Sequence, residues 1–305
     1  FSVPQSLYHQ SLAHFIKGRG LLTFAGRDLW AVKSSSSLES PGPNRWSNSQ
    51  TDVWSDSQGL HLSIHYHDGG WWSSEVMLRE SLGLGTYSFQ ISSPNGGDLD
   101  SPASTCAVLG LFTWDDYSPD RASVAYREID IEFSRWGDPH DPTNAQFVLQ
   151  PYDKSNHLKR WTAPPGVTST AVGMTVLFKW EEASIIQWWA YKGFHHVVNG
   201  FNPVEDWPLS DLVAKWNTTE TSAIFGPRQE AVHINYWIPC SNQMPYQNAT
   251  PPDVIINDFQ FVPLQTCCSS SSLFTHDQSS VVTSFASNIF NRVQQLLLLL
   301  LPIML

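Results

Sequence analysis

The sequence predicts an all-β fold, an antiparallel β-sandwich or jelly roll. Three observations carry that prediction. Short runs rich in β-branched and aromatic residues recur along the chain, clusters of Gly, Pro, Asn, Asp and Ser separate them, and helical periodicity is almost absent. In order, the runs lie at 60–66, 85–91, 108–114, 126–133, 145–152, 174–180, 184–191, 233–238 and 254–262. Only 208–215 has a helical pattern, and it is short. No repeat of fixed period is visible.

The chain has 305 residues, within reach of one large all-β domain followed by a tail. Charged residues make up 15% and apolar residues 41%, the balance of a globular protein with a sizeable core. The formal net charge of −11 argues against nucleic acid as a partner, because phosphate binding needs clustered Lys and Arg and none occurs. A neutral polymer fits better. The 14 Trp suit either core filling or flat surfaces that stack on a ligand.

Cys106, Cys240, Cys267 and Cys268 lack metal-ligand spacing, so no metal site is predicted from them. A Cys106–Cys240 disulfide is compatible with the sequence without being required by it. Asn217-Thr218-Thr219 and Asn248-Ala249-Thr250 match the N-glycosylation acceptor pattern, a weak pointer to secretion. The chain opens at Phe1 without a leader pattern, as a processed or truncated N-terminus would. A domain over 1–266 is expected, followed at 267–305 by a Ser-rich linker and an apolar tail without fixed structure. The tail's run of about ten apolar residues is too short to span a bilayer, which takes roughly 20 in a helix. It is read as an artefact of the gene boundary, with a lipid-anchor signal near Ala286-Ser287-Asn288 as the alternative and the only route to a membrane.

The segment Tyr126-Arg127-Glu128-Ile129-Asp130-Ile131-Glu132-Phe133 carries the functional argument. Side chains alternate faces along a strand, so Glu128, Asp130 and Glu132 share one face and Ile129, Ile131 and Phe133 the other. Neighbouring like charges cannot all ionise easily, so at least one proton is held tightly. A retaining glycosidase uses such an asymmetry, with one ionised carboxylate as nucleophile and one protonated carboxyl as acid. Residues four apart on a flat strand lie roughly 13 Å apart at Cα. Retaining chemistry needs carboxyl groups roughly 5–5.5 Å apart. The reading therefore requires a curved strand on a concave sheet. A calcium site or a solvated strand face gives the same pattern, and spacing alone leaves both open.

Glu128-Ile129-Asp130-Ile131-Glu132-Phe133 resembles the signature of glycoside hydrolase family 16, in the unbulged Glu-x-Asp-x-Glu form. Further segments are similar to that family's strands: Asn44-Arg45-Trp46, Ser74-Glu75, Gly110-Leu111-Phe112-Thr113-Trp114, Phe178-Lys179-Trp180 and His233-Ile234-Asn235-Tyr236-Trp237. The resemblance implies a concanavalin A-like jelly roll with the acids on its concave face. It also implies Glu128 as nucleophile, Asp130 as its assistant and Glu132 as general acid/base. Trp114, Gln150, Asn235 and Trp237 match cleft positions, with core packing the alternative for the two Trp and a satisfied polar edge the alternative for Asn235 and Gln150. Three features depart from the family, one of them the lack, before Phe178, of the His often found in its His-x-Phe/Tyr-x-x-Trp pattern. Ser134-Arg135-Trp136-Gly137 follows the signature where Leu-Gly is common, and the tandem Trp71-Trp72 fits no family pattern.

Together these readings predict a secreted, monomeric, retaining endo-hydrolase of a β-linked glucan or related polysaccharide. No cofactor is expected, and a structural calcium ion is left open. A transglycosylase of the same family, or a lectin on the same fold, is the alternative.

Overall fold

In the computed structural model, which describes residues 20–93, 105–116, 127–166, 172–181, 185–200, 202–218, 224–239 and 251–264, the predicted runs pair into two sheets. The first sheet runs β1 (Leu22–Phe24), β2 (Arg27–Val32), β8 (Gly70–Ser81), β17 (Ala231–Trp237), β10 (Val108–Trp114), β11 (Ile129–Phe133), β12 (Ala145–Leu149), β13 (Leu158–Trp161). Three short strands, β3 (Ser35–Glu39), β4 (Asn44–Trp46) and β7 (His65–His67), extend it beside β8. The second sheet runs β16 (Leu212–Thr218), β15 (Ile185–Lys192), β14 (Met174–Glu181), β9 (Gly85–Ser92), β18 (Val254–Pro263), β6 (Gly59–Leu62), β5 (Val53–Asp56). Pairing is antiparallel except where β4 meets β8. Neighbours far apart in sequence, such as β8 with β17 and β9 with β18, interleave the two ends of the chain, as a jelly roll does.

The core lies between the sheets and follows from period-two alternation. Leu109, Leu111, Ile129, Ile131, Phe147 and Ile234 face inward from the first sheet, with Phe89, Val176, Phe178 and Trp188 opposite. Aromatic rings bridge the layers. Trp30 of β2 meets Phe259 of β18 edge-on at 5.7 Å, and Phe147 of β12 stacks on Trp188 of β15 at 6.3 Å. Each such side chain stabilises the fold by about 1.5–3 kcal/mol through burial. Trp188 also donates from Nε1 to the Asp130 carbonyl at 3.2 Å, which ties the backbone of β11 to the second sheet.

The expected helix at 208–215 is not present. A single 3₁₀ turn covers Leu209–Asp211, and Leu212–Thr218 is the edge strand β16. Cross-strand pairing outweighs local propensity here, with Trp216 opposite Trp188 in register and stacked on it at 4.6 Å. The only α-helix among the described residues is α1, Pro203–Asp206. The tandem Trp71-Trp72 begins β8, where Trp71 packs edge-on to Tyr66 and Trp72 stacks on His67 at 4.9 Å.

The chain divides into a unit Phe1–Gln265 and a unit Thr266–Leu305, and the described residues all belong to the first. The serine run and apolar tail, with Cys240, Cys267, Cys268 and Asn248, lie outside the described residues. Cys106 is disulfide-bonded.

Gly59 opens β6 with φ +138°, and a Cβ there would fall on the Ile256 carbonyl and 2.8 Å from the Asn257 Cα. The backbone of β18 passes too close for any side chain. Gly59→Ala is expected to destabilise the fold by about 2 kcal/mol, seen as a lower midpoint in thermal or denaturant unfolding.

Candidate functional site

The register of the first sheet lines up two rows of side chains on the face turned away from the core. One row crosses Glu75, Asn235, Gly110, Glu132 and Gln146, and the next crosses Met77, His233, Phe112, Asp130 and Val148. Glu128 stands just before β11, two residues from Asp130 and so on the same face. These rows open into a cleft of about 220 Å³ whose lining includes Glu128, Asp130, Glu132, Trp114, Asn235 and Trp237. Ile129, Ile131 and Phe133 are buried in the core behind it. Asp130 is only 2% exposed, which rules out a solvated strand face.

Burial pushes all three carboxyl groups up. Glu128 rises to about 8 and Glu132 to about 7, while Asp130 is raised well above its usual range. For Asp130 the Glu128 and Glu132 charges add to desolvation. The three titrate as a unit, so the values belong to the cluster. Asp130 is where a proton is best kept. Its Oδ1 is buried without a hydrogen-bond partner, its Oδ2 accepts from Gln150 Nε2 at 3.0 Å, and its side chain interacts with Glu128. A protonated Asp130 carboxyl donating to Glu128 favours the ionised form of Glu128.

Two amides on one face of β12 hold the acids. Gln146 Nε2 donates to Glu132 Oε2 at 2.5 Å, and its Oε1 accepts from Arg160 Nη1 at 3.2 Å, which fixes the amide's orientation. Arg160 is itself held by Asp141 at 2.8 Å and by the Ser134 carbonyl. Its charge lowers Glu132, partly offsetting burial.

Across the cleft runs a chain of alternating charge. Asp116 Oδ2 lies 2.9 Å from His233 Nε2, His233 Nδ1 lies 3.0 Å from Glu75 Oε1, and Lys33 Nζ donates to Glu75 Oε2 at 2.7 Å. Burial would lower His233, but Asp116 and Glu75 outweigh it and raise the imidazole to about 9. At neutral pH it is a cation, hydrogen-bonded through Nδ1 to Glu75 and ion-paired through Nε2 with Asp116, and Glu128 feels its charge. Phe112 stacks on the ring at 5.1 Å.

Six of the seven residues singled out from sequence therefore line one cleft. The seventh, Gln150, donates to Asp130 and so orients an acid. Sequence reasoning did not single out Lys33, Asp116, His233, Gln146 or Arg160 as functional. His233 and Gln146 were within reach, since they lie two and four residues from Asn235 and Gln150 and so share their faces. Among the described residues no group of three or more His, Cys, Asp or Glu is placed to hold a metal ion.

No family model and no curated protein matches the sequence. Solved structures do match. A Bacillus licheniformis beta-glucanase aligns with TM-score 0.51 and 20% identity, over 77% of this chain and 92% of its own. A beta-1,3-glucanase from Mycobacterium marinum aligns with TM-score 0.51 and 12% identity, over 80% and 95%. A beta-1,3-1,4-glucanase (lichenase) from a mouse hindgut metagenome aligns with TM-score 0.50 and 16% identity, over 77% and 94%. The chain folds as a family 16-like β-jelly roll. Within that scaffold the acids lie on and just before an internal strand of the first sheet, with five strands of the ordered path on one side and two on the other.

Two expectations follow for the cleft. A Cβ on Gly110 would lie 2.5 Å from Asn235 Oδ1, a buried atom without a partner. Gly110→Ala should displace the Asn235 amide and lower kcat/KM by about ten-fold, with little change in thermal midpoint. The second concerns pH. The folded state holds protons on the carboxyl cluster and on His233 that the unfolded chain releases near the ordinary carboxyl range and near 6.5. Their stabilisation is complete below those values and is lost as pH rises through about 7 to 8 for the cluster and about 9 for His233. The thermal midpoint should fall steadily across that window, and more shallowly in Glu132→Gln.

Proposed function

We propose that this chain is a secreted, retaining endo-glycoside hydrolase that cleaves a β-linked glucan or related polysaccharide. The observation that carries the reading is the shared cleft of Glu128 and Glu132, with a proton-holding Asp130 between them. In this mechanism the Glu128 carboxylate attacks the anomeric carbon and forms a covalent glycosyl-enzyme. Glu132 gives its proton to the departing glycosidic oxygen. Glu132, now ionised, takes a proton from water, which attacks the anomeric carbon and releases Glu128. A sugar hydroxyl in place of water gives transfer through the same intermediate.

The surroundings support these roles. Asp130 hydrogen-bonds Glu128 and feels its charge, so the proton between them helps keep the nucleophile ionised. Gln146 occupies Oε2 of Glu132, which leaves Oε1 as the oxygen that carries the transferable proton. The aromatic lining and net negative charge favour an uncharged polymer. The related folds named above are beta-glucanases, which makes β-glucan the first substrate class to try. A disulfide at Cys106 and an exposed acceptor Asn217 on edge strand β16 agree with an oxidising, extracellular compartment.

Reducing-end release from laminarin and from barley mixed-linkage glucan tests the reading. Glu128→Ala should lower kcat by at least about 10³-fold while polysaccharide binding persists. Glu132→Ala should suffer most on substrates with poor leaving groups, and azide should restore its turnover of an activated glycoside. Asp130→Asn should slow the reaction more mildly. A parent protein that binds glucan yet neither cleaves nor transfers it is a lectin, and the proposal fails.

A further inference from the structure

The departure Ser134-Arg135-Trp136-Gly137 lies directly after the acid strand. All fourteen Trp are among the described residues, and Trp136 alone is exposed, at 39%. Its backbone has φ +54°, a left-handed conformation that a bulky residue rarely adopts and that Gly or Asn would take at lower cost. The turn holding it there is well anchored. Trp136 N–H donates to Ser134 Oγ at 2.8 Å, Gly137 N–H to the Thr105 carbonyl at 2.8 Å, and Asp138 N–H to the Arg135 carbonyl at 3.0 Å. Arg160 donates to the Ser134 carbonyl from the other side.

The indole stands beside the cleft. Its ring meets Trp237, a cleft-lining residue, edge-on at 6.0 Å and 71°. Trp237 pairs with Val108, two residues along β10 from the Gly110 that opposes Glu132. Trp136 and Trp237 therefore sit at the Glu132 end of the acid row, at the end away from Trp114. Burial in the core would explain a Trp in a strained turn, but this one is not buried. A flat apolar ring, partly exposed to water on an anchored turn beside the cleft, suits the apolar C–H face of a pyranose ring.

We propose that Trp136, braced by Trp237, is a stacking platform for a sugar ring bound beyond Glu132, outside the bond being cleaved. The platform rests on the glycoside hydrolase reading for its substrate class, and on the geometry above for its position.

The test compares Trp136→Ala, Trp136→Leu and Trp136→Phe with the parent, using laminarin and barley mixed-linkage glucan as probes. Affinity electrophoresis reads binding, and reducing-end release reads KM and kcat. Trp136→Ala and Trp136→Leu should weaken binding and raise KM about ten-fold, with kcat changed less than about two-fold and the thermal midpoint preserved. Trp136→Phe, which keeps an aromatic face, should retain most of the affinity. If Trp136→Ala fails to fold, the Leu and Phe pair decides, because both keep apolar bulk and only one keeps the ring face. Equal binding by the Leu and Phe variants, or parental KM in all three, overturns the platform and leaves the hydrolase reading standing. A parent that binds glucan without cleaving it defeats the hydrolase reading and leaves the Trp136 comparison intact. A parent that binds neither glucan overturns the platform.

Discussion

A strand carrying three acids on one face can sit in a sandwich only if its other face is apolar and its acidic face opens into a cleft. β11 meets both conditions. Ile129, Ile131 and Phe133 are locked into the core, and Trp188 grips the Asp130 carbonyl from the opposite sheet. The acids cannot rotate away from one another without tearing that apolar face from the core. Their crowding is thus imposed by packing, and the raised pKa values are its electrostatic consequence.

The rest of the first sheet is arranged around this crowding. Gln146 on β12 and Gln150 just after it each donate to one acid, while the Lys33–Glu75–His233–Asp116 chain lies across the cleft on β17 and its neighbours. A buried charge is costly unless it is paired, and alternation of sign along that chain pairs every member. The imidazolium it contains adds a fixed positive charge within range of Glu128. Polar groups set in advance around a developing charge are the usual source of electrostatic catalysis, and the same groups explain how three acids can share so small a volume.

Much of this was legible from residue order alone. The runs at 108–114 and 174–180 became strands at or within one residue of their expected ends, because apolar and aromatic residues dominate them and no helical period competes. The facing of Glu128, Asp130 and Glu132 was legible for the same reason, since alternation needs no partner strand. The segment 208–215 was misread as helix because its pairing with β15 is non-local, and nothing within eight residues announces it. Gln150 matches a cleft position by resemblance, and the turn at the end of β12 brings its amide to Asp130, a partner that only the fold reveals.

The sequence by itself determined the strand alternation, the acidic row and the apolar row behind it, since these depend only on the two-residue period of an extended chain. It also marked Ser134-Arg135-Trp136-Gly137 as unusual without saying why. Tertiary structure alone decided which distant residues meet those acids. Lys33, Glu75, Asp116 and His233 come from separate strands or their ends, and only the cross-strand register brings them to one cleft. Register is set by the sum of all pairings in a sheet, a long-range quantity that no local pattern encodes. The same holds for Trp136, whose exposure depends on where the turn after β11 leaves the sheet and on Trp237 standing across from it.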